Sequence, residues 1–379
     1  MYSRLLSPPK DKSFFLFGPR GTGKTTWVHA RFPGALHIDL LEARLFNLLT
    51  ADPQRLSELV PTTHAQYVVI DDVQKVPALL DEVHRLIEQR RLKFILTGSS
   101  ARKLRRGAVN LLAGRALTLG MHPLSAVEMG SDFDLHQALR YGLLPAVHTE
   151  PDRAKFLDSY VRTYLEEEVR QEGLTRNLAA FARFLEAASF SQGAALNVSA
   201  VARECAVERK VVESYFGILT DLMIAHQLPV FARRAKRRLA THPKFYFFDV
   251  GVFRTLRPAG PLDTPEEAEG PAMETLVLEN LAAVNDGLGL GYKIHYWRTS
   301  DGTEVDFVLY GNRGFLAIEV KRGRRVSAAD VAGLRSFLSD YPMARALLVY
   351  GGERRLNVGG VDTRPLRDFL TRLPEILQE

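Results

Sequence analysis

The chain has 379 residues, a length that at roughly 150 residues per domain predicts two or three domains rather than one. Hydrophobic residues make up 46% and charged residues 25%, which is globular composition and excludes a disordered, collagen-like or coiled-coil chain. Lys and Arg number 50 against 44 Asp and Glu, and the resulting +6 permits a polyanionic partner without requiring one. Cys205 is the only cysteine, so an intramolecular disulfide and a multi-thiolate metal site are both excluded. The longest run free of Asp, Glu, Lys and Arg, Ala187 to Ala202, contains Ser, Gln, Asn and Gly and does not suit a membrane-spanning helix. The opening MYSRLLSPPKDKS lacks an apolar core of signal-peptide length. The expectation is therefore a cytoplasmic protein with no membrane partner.

The first third alternates short apolar runs with helical patterns, as a parallel sheet covered by helices does. Ser13 to Gly18 reads as a buried strand, followed after a glycine-rich turn by a helix through Trp27 and Val28. Ala35 to Leu40, Tyr67 to Asp72 and Lys93 to Gly98 repeat the theme, each ending in small or polar residues. Those ends fall on one sheet edge, the carboxyl edge where open parallel sheets bind ligands. Beyond Pro123 the spacing is helical over Arg153 to Val169 and Asn177 to Ala188. Asn197 to Leu228 reads helix, turn, helix, with Ser199 as the cap candidate and a second helix over about Arg209 to Leu222. Arg233 to Arg238 is a basic run ahead of a strand at Lys244 to Asp249, the pattern of a winged helix. Pro258 to Pro271 is the best linker, rich in Pro, Gly and acid. After it come a helix at Met273 to Val284, strands at Tyr292 to Trp297, Glu304 to Leu309 and Phe315 to Lys321, a helix at Ala328 to Leu338 and a strand at Arg345 to Val349.

GPRGTGKT, Gly18 to Thr25, fits the phosphate-loop pattern in full, between a strand and a helix. Gly18, Gly21 and Gly23 let the loop, with Pro19, Arg20 and Thr22 between them, curl so that successive N–H groups and the helix start at Lys24, Thr25 and Thr26 face phosphate. Lys24 reaches the β and γ phosphates and Thr25 ligates Mg²⁺. VVIDD, Val68 to Asp72, supplies the acids: Asp71 holds the ion through water, and Asp72 stands where a general base polarises the attacking water. Thr97, at the end of the next strand, is placed to sense the γ phosphate, although a Thr-Gly-Ser turn is an equal structural reading.

These 150 residues resemble the AAA+ ATPases, and within them a widespread prokaryotic family. The resemblance rests on the acidic strand followed by Gln74, Lys75, Val76 and Pro77, on Thr97 to Ser100, on a Gly-Arg element from Leu111 to Arg115, and on a Tyr-Gly-x-Leu-Pro element from Tyr141 to Pro145. The family usually has Glu where this chain has Asp72. The missing methylene draws the carboxylate back by about 1.5 Å, a misplacement that can cost on the order of a hundredfold in rate. The resemblance also implies a homo-oligomer in which an arginine of a neighbouring subunit completes the site, with Arg115 the first candidate and Arg102 the second.

In a winged helix the second helix of the pair enters the major groove of DNA and the wing lies on phosphates. The basic run Arg233 to Arg238 supplies charge for that contact. A protein-docking or purely structural role for the same module remains open, because VVESYFGILTDLMIA reads as a buried helix.

Near the carboxyl end, Glu319 and Lys321 lie two apart in a strand and project from one face. The turn YGNRG allows Asp306 to lie alongside them. The order of helix with Glu274, EVDF with Asp306, and FLAIEVK with Glu319 and Lys321 resembles the PD-(D/E)XK restriction-endonuclease-like fold, which the same ATPase family carries at this end. That resemblance implies Glu274, Asp306 and Glu319 as ligands of Mg²⁺ or Mn²⁺ and Lys321 as the lysine of metal-dependent DNA cleavage. Glu279, five residues on, is the alternative helix acid.

The expectation is thus an α/β protein: an AAA+ core over residues 1–130, a helical segment or lid over 131–190, a winged helix over 191–257 and a nuclease-like domain over 258–379. ATP and Mg²⁺ are the expected cofactors and DNA the expected partner. The alternative is a nucleotide-dependent switch whose nuclease-like domain does no chemistry.

Overall fold

The computed structural model describes residues 2–60, 67–102, 104, 112–165, 177–258, 260 and 264–379. They form two compact units, Leu6–His122 with Asp221–Ile224, and Met1–Leu5, Pro123–Thr220 and Ala225–Glu379. The expected segments 131–190, 191–257 and 258–379 lie almost wholly within the second unit.

The first unit is a five-stranded sheet in the order β2-β3-β4-β1-β5. Its strands are β1 (Ser13–Phe17), β2 (Leu36–Asp39), β3 (Tyr67–Asp71), β4 (Lys93–Gly98) and β5 (Ala116–Gly120), and every neighbouring pair is parallel. Strand period two decides its core. Phe15 and Phe17 of β1 join Ile70, Leu80, Val83 and Leu96 in one cluster, while Phe14 and Leu16 join Trp27, Val28, Val69 and Ile95 in the other. Both faces of β1 are therefore covered, and all five of its residues are buried. The covering helices include α1 (Lys24–Arg31), α2 (Ala43–Ala51) and α3 (Leu79–Arg90). Strand β5 is an element the sequence reading did not name: all five of its positions are half-buried or exposed, and ALTLG lacks the continuous apolar run of β1.

In the second unit a helix begins at Arg153 and its turns are described as far as Leu165; Val169, the expected end, lies outside the described residues. Then follow α4 (Leu178–Ser189), β6 (Ala194–Ala195), α5 (Val198–Cys205), α6 (Arg209–Asp221), β7 (Ala225–Leu228) and β8 (Lys244–Phe247). The three strands form an antiparallel sheet in the order β6-β8-β7. The cap of α5 is Asn197, whose side chain accepts from the Ala200 N–H, and not Ser199. Asn197 precedes the first helical residue, where a side-chain oxygen can reach an unpaired N–H. Next come α7 (Val250–Leu256) and α8 (Pro265–Gly287).

The expected linker is shorter than its composition suggested, since α8 takes up Pro265 onward. Pro265 is tolerated in the first turn because that N–H has no helical partner. Pro271 lies inside α8, and the Thr275 hydroxyl donates to its carbonyl at 2.6 Å.

The carboxyl-terminal sheet has the order β13-β14-β12-β11-β10-β9. Strands β9 (Lys293–Arg298), β10 (Glu304–Gly311) and β11 (Gly314–Lys321) are an antiparallel meander. Helix α9 (Ala332–Asp340) then crosses to β12 (Arg345–Tyr350), which runs parallel to β11 and to β14 (Val361–Pro365), with β13 (Leu356–Val358) antiparallel at the edge. Trp297, Val308, Ala317, Phe337 and Leu348 are wholly buried between α9 and the sheet. No helix among the described residues is long and apolar enough to cross a membrane.

Candidate functional sites: a phosphate loop and a buried acid cluster

The phosphate loop joins β1 to α1. Space alone demands glycine at Gly18, where a Cβ would lie 2.2 Å from the Met121 carbonyl oxygen. Gly21 and Gly23 have φ of 78° and 87°, the left-handed region, and Gly23 leads into α1. Pro19 and Thr22 are buried, and the Thr22 hydroxyl donates to the Pro19 carbonyl at 2.8 Å. Arg20 and Thr26 are exposed. The Lys24 ammonium donates to the carbonyls of Gly18 at 2.6 Å and Pro19 at 3.0 Å, which holds it over the loop.

At the carboxyl end of β3, the Asp71 carboxylate accepts from two hydroxyls and a backbone N–H. Thr25 Oγ1 donates to its Oδ2 at 2.7 Å, Thr97 Oγ1 donates to Oδ1, and the Asp72 N–H donates to Oδ1 at 3.2 Å. Thr25 and Asp71 thus bring two hard oxygens together at the start of α1, a donor set that suits Mg²⁺. Thr97 is fully buried, and its hydroxyl is spent on Asp71.

Asp72 sits at φ 58°, and its Oδ1 accepts from Gln74 Nε2 at 3.0 Å. Gln74 is the residue of this site that the sequence reading left unassigned. It is buried, its Oε1 lacks a hydrogen-bond partner, and a Cβ on Gly98 would come within 2.3 Å of that atom. The signal for it lay in the Gln-Lys-Val-Pro turn.

Arg115 is exposed and pairs with Glu88 of α3, and Arg102, with a side chain 10% exposed, pairs with Asp221 at 2.5 Å. Both candidate arginines therefore have partners within their own chain. Leu111, the start of the Gly-Arg element, lies outside the described residues.

The Tyr-Gly-x-Leu-Pro element proves to be a lock. Gly142, at φ 74°, leaves no room for a side chain, because a Cβ would meet both Asp249 carboxylate oxygens at 2.3 Å. Asp249 accepts from the N–H groups of Leu143 at 2.8 Å and Val252 at 2.9 Å, which caps α7 and fixes the turn together. Burial pushes its carboxyl up to about 6 despite those N–H groups.

The carboxyl-terminal acids lie close together. Phe307 opposite Ile318 in the antiparallel register sets Asp306 beside Glu319, and the Val320 N–H donates to Asp306 Oδ2 at 2.9 Å. Lys321 Nζ lies 2.6 Å from Glu319 Oε1. Glu274 of α8 joins this cluster, accepting from the Tyr246 hydroxyl at 2.7 Å. Glu279 does not: it is buried near Asp249, and its carboxyl is raised by burial and then by Asp249.

At the centre of the cluster stands Lys244, on β8. Its ammonium lies 2.9 Å from Asp306 Oδ1 and 3.5 Å from Glu274 Oε2, and it also pairs with Glu304. Lys244 is 2% exposed. Burial works against its charge, but Tyr246, Asp306, Glu274 and Glu304 outweigh that and hold it above the usual lysine range. Burial, then Asp306, pushes Glu274 up to about 7 and Glu319 up to about 8. The four acids are thus a donor set of the right chemistry for a hard divalent ion, but an ammonium occupies the middle of it. Among the described residues no group of three or more His, Cys, Asp and Glu is arranged to hold a metal ion.

The basic run is anchored along the same domain. The Arg233 guanidinium lies 5.0 Å from the centre of the Tyr310 ring, and Arg237 pairs with Asp340 at 3.0 Å. Backbone bonds on either side, Phe231 N–H to Tyr296 and Ala240 N–H to Arg298, tie it to β9. Arg234, Lys236 and Arg238 remain exposed.

Fold and loop together define a phosphate-loop core in the first unit. Residues 10–130 match the family model of an AAA domain. Residues 132–263 and 269–369 match two domains of unknown function, DUF8612 and DUF4143. The uncharacterized protein Rv2008c of Mycobacterium tuberculosis is 28% identical over 368 residues, covering 95% of this chain and 79% of its own. The uncharacterized protein Mb2031c of Mycobacterium bovis matches to the same extent. Among solved structures, the Aeropyrum pernix ORC1 protein in complex with DNA is similar at 14% identity and a TM-score of 0.29, over 66% of this chain and 87% of that one. That likeness is too distant to fix fold or function.

Proposed function

We propose that the chain is an AAA+ ATPase that binds and hydrolyses ATP and uses the nucleotide state to act on DNA. The observation that carries this is the Asp71 carboxylate gripped by Thr25 and Thr97 beside a loop closed by Lys24. ATP would supply the phosphoanhydride and Mg²⁺, held on the side of Thr25 and Asp71, would offset the charge that develops on its phosphates. The chain supplies position and charge. Backbone N–H groups of the loop and the start of α1 receive phosphate, Lys24 leaves the Gly18 and Pro19 carbonyls for it, and Thr25 and Asp71 hold the ion's side of the site. Asp72 orients water, with Gln74 fixing which way its carboxylate faces, and Thr97 couples Asp71 to the neighbouring strand. Arg115 serves a neighbouring subunit in a homo-oligomer once it leaves Glu88. We read α4 to β8 as the winged helix, which its helix and strand order supports, with Arg234, Lys236 and Arg238 as the charges turned to DNA phosphates.

Titration with ATP tests the core of the proposal. Lys24→Ala should weaken binding by about a hundredfold, the size expected for a charge-assisted phosphate contact. Equal affinity in both proteins would overturn it.

For the carboxyl-terminal domain, the order α8, β9-β10-β11, α9, β12 with Asp306 beside Glu319 supports a PD-(D/E)XK-like reading. Two functions follow from it. In one, Glu274, Asp306, Glu319 and Lys321 cleave DNA with Mg²⁺ or Mn²⁺. In the other, the domain is a docking module that does no chemistry. The buried Lys244 ammonium favours the second.

A further inference from the structure

The acids that a nuclease would give to a metal already surround a cation of the chain's own. We propose that Lys244 is the resident cation of the Glu274, Glu304 and Asp306 cluster, and that with it in place the carboxyl-terminal domain takes no divalent ion. The proposal rests on the second reading above and deepens it by naming what closes the site.

Three observations carry it. The first is position: the Nζ of Lys244 lies between Asp306 of β10 and Glu274 of α8, at 2.9 Å and 3.5 Å, with Glu304 of β10 as its third partner. A divalent ion bound by oxygens at about 2.0–2.6 Å would have to occupy the same space. The second is charge. Glu274, Glu304, Asp306 and Glu319 face Lys244, Lys321 and Arg298, the last 3.2 Å from Glu304. Three cations of the chain thus stand against four acids, leaving little charge for an ion from solution. The third is rigidity. All four residues of β8 are buried, Phe245 and Tyr246 completely, and Lys244 also lies 5.8 Å from the centre of the Tyr296 ring of β9. A flexible surface lysine swings away at little cost; this one is 2% exposed on a fully buried strand, so withdrawing its ammonium requires the side chains around it to open.

The arrangement also gives the lysine a structural task. It joins β8 to β10 and α8 through charge-assisted contacts that a metal would otherwise have to make. The element carrying the basic run and the nuclease-like sheet are thereby fastened to each other from within.

Binding of Mn²⁺ to the nucleotide-free full chain, followed by electron paramagnetic resonance of the free ion, tests this without relying on activity. The intact protein and Asp306→Asn should bind the same amount of Mn²⁺. Lys244→Met should gain a site that a second change, Asp306→Asn in that background, removes. Binding in the intact protein that Asp306→Asn abolishes would overturn the proposal. So would a folded Lys244→Met that gains no Mn²⁺, because lysine would then not be what keeps the ion out. If Lys244→Met does not fold, the comparison of intact protein with Asp306→Asn decides alone. Plasmid cleavage with Mg²⁺ or Mn²⁺ that Asp306→Asn abolishes would overturn the docking-module reading and this proposal with it.

Discussion

The two carboxylate sites of this chain are built from the same residue types and arrive at opposite electrostatic states. At the end of β3, Asp71 is held by the hydroxyls of Thr25 and Thr97 and by one N–H, groups that orient a carboxylate without neutralising it. In the carboxyl-terminal domain, Asp306 and Glu274 are held by an ammonium buried with them. Hydroxyls leave a negative charge available for an ion brought in from solution, whereas an ammonium in low-dielectric surroundings consumes it. A list of acids therefore does not define a metal site. What stands between them does.

The sharpest way to break this comparison is Lys244→Met. Removing one partner of a buried ionic cluster leaves uncompensated charge, so urea unfolding should show a loss of about 3–5 kcal/mol. A loss below about 1 kcal/mol, the scale of an exposed pair, would mean that the cluster is solvated and the contrast with Asp71 is false.

Asp249 sharpens the comparison from a third side, as a buried carboxylate held only by N–H groups. Its folded-state value is raised from 3.8 to about 6, so the folded chain binds this proton more tightly than the unfolded chain does. The stability from that proton is complete below about pH 4 and is lost as pH rises through about 6. Two units correspond to about 3 kcal/mol. Unfolding measured from pH 4 to 7 should show this decline in the intact protein and a flatter profile in Asp249→Asn. Parallel profiles would refute it.

A smaller effect is expected at Asp72. Asp72→Glu restores the methylene that the resemblance calls for and should raise the ATPase kcat by about tenfold, within the hundredfold ceiling set by misplacement of that size. An unchanged or lower kcat would indicate that Gln74 holds the shorter side chain where it is needed. Least of all should Asp71→Asn disturb the fold. Its charge has no buried cation to leave behind, so stability should change by less than about 0.5 kcal/mol while hydrolysis is lost. A large destabilisation would make Asp71 as structural as Asp306.

Much of this was legible in the sequence where cause and effect lie close together along the chain. The phosphate loop is contiguous, and Glu319 and Lys321 share a face through strand period two. The antiparallel return through YGNRG brought Asp306 alongside, as the register of Phe307 with Ile318 shows. Strand β5 was missed because its five half-buried or exposed residues form no continuous apolar run like that of β1. The first turns of α8 were read as linker because Pro, Gly and acid signal a break even where a helix start tolerates them. The Tyr-Gly-x-Leu-Pro element entered the sequence reading only as a mark of the family resemblance, and its glycine is explained by Asp249, far along the chain.

What the sequence determined by itself was local: a parallel sheet with its polar ends on one edge, a loop able to wrap phosphate, and acids spaced to meet on a strand pair. Each follows from periodicity or from a few adjacent dihedral angles. Only the tertiary structure decided which acids meet which cations. It chose Glu274 over Glu279, turned Gln74 onto Asp72, and set Lys244 among carboxylates, 62 residues before Asp306. Charge acts through space, and no spacing along the chain records how an ammonium and three carboxylates fold into one pocket.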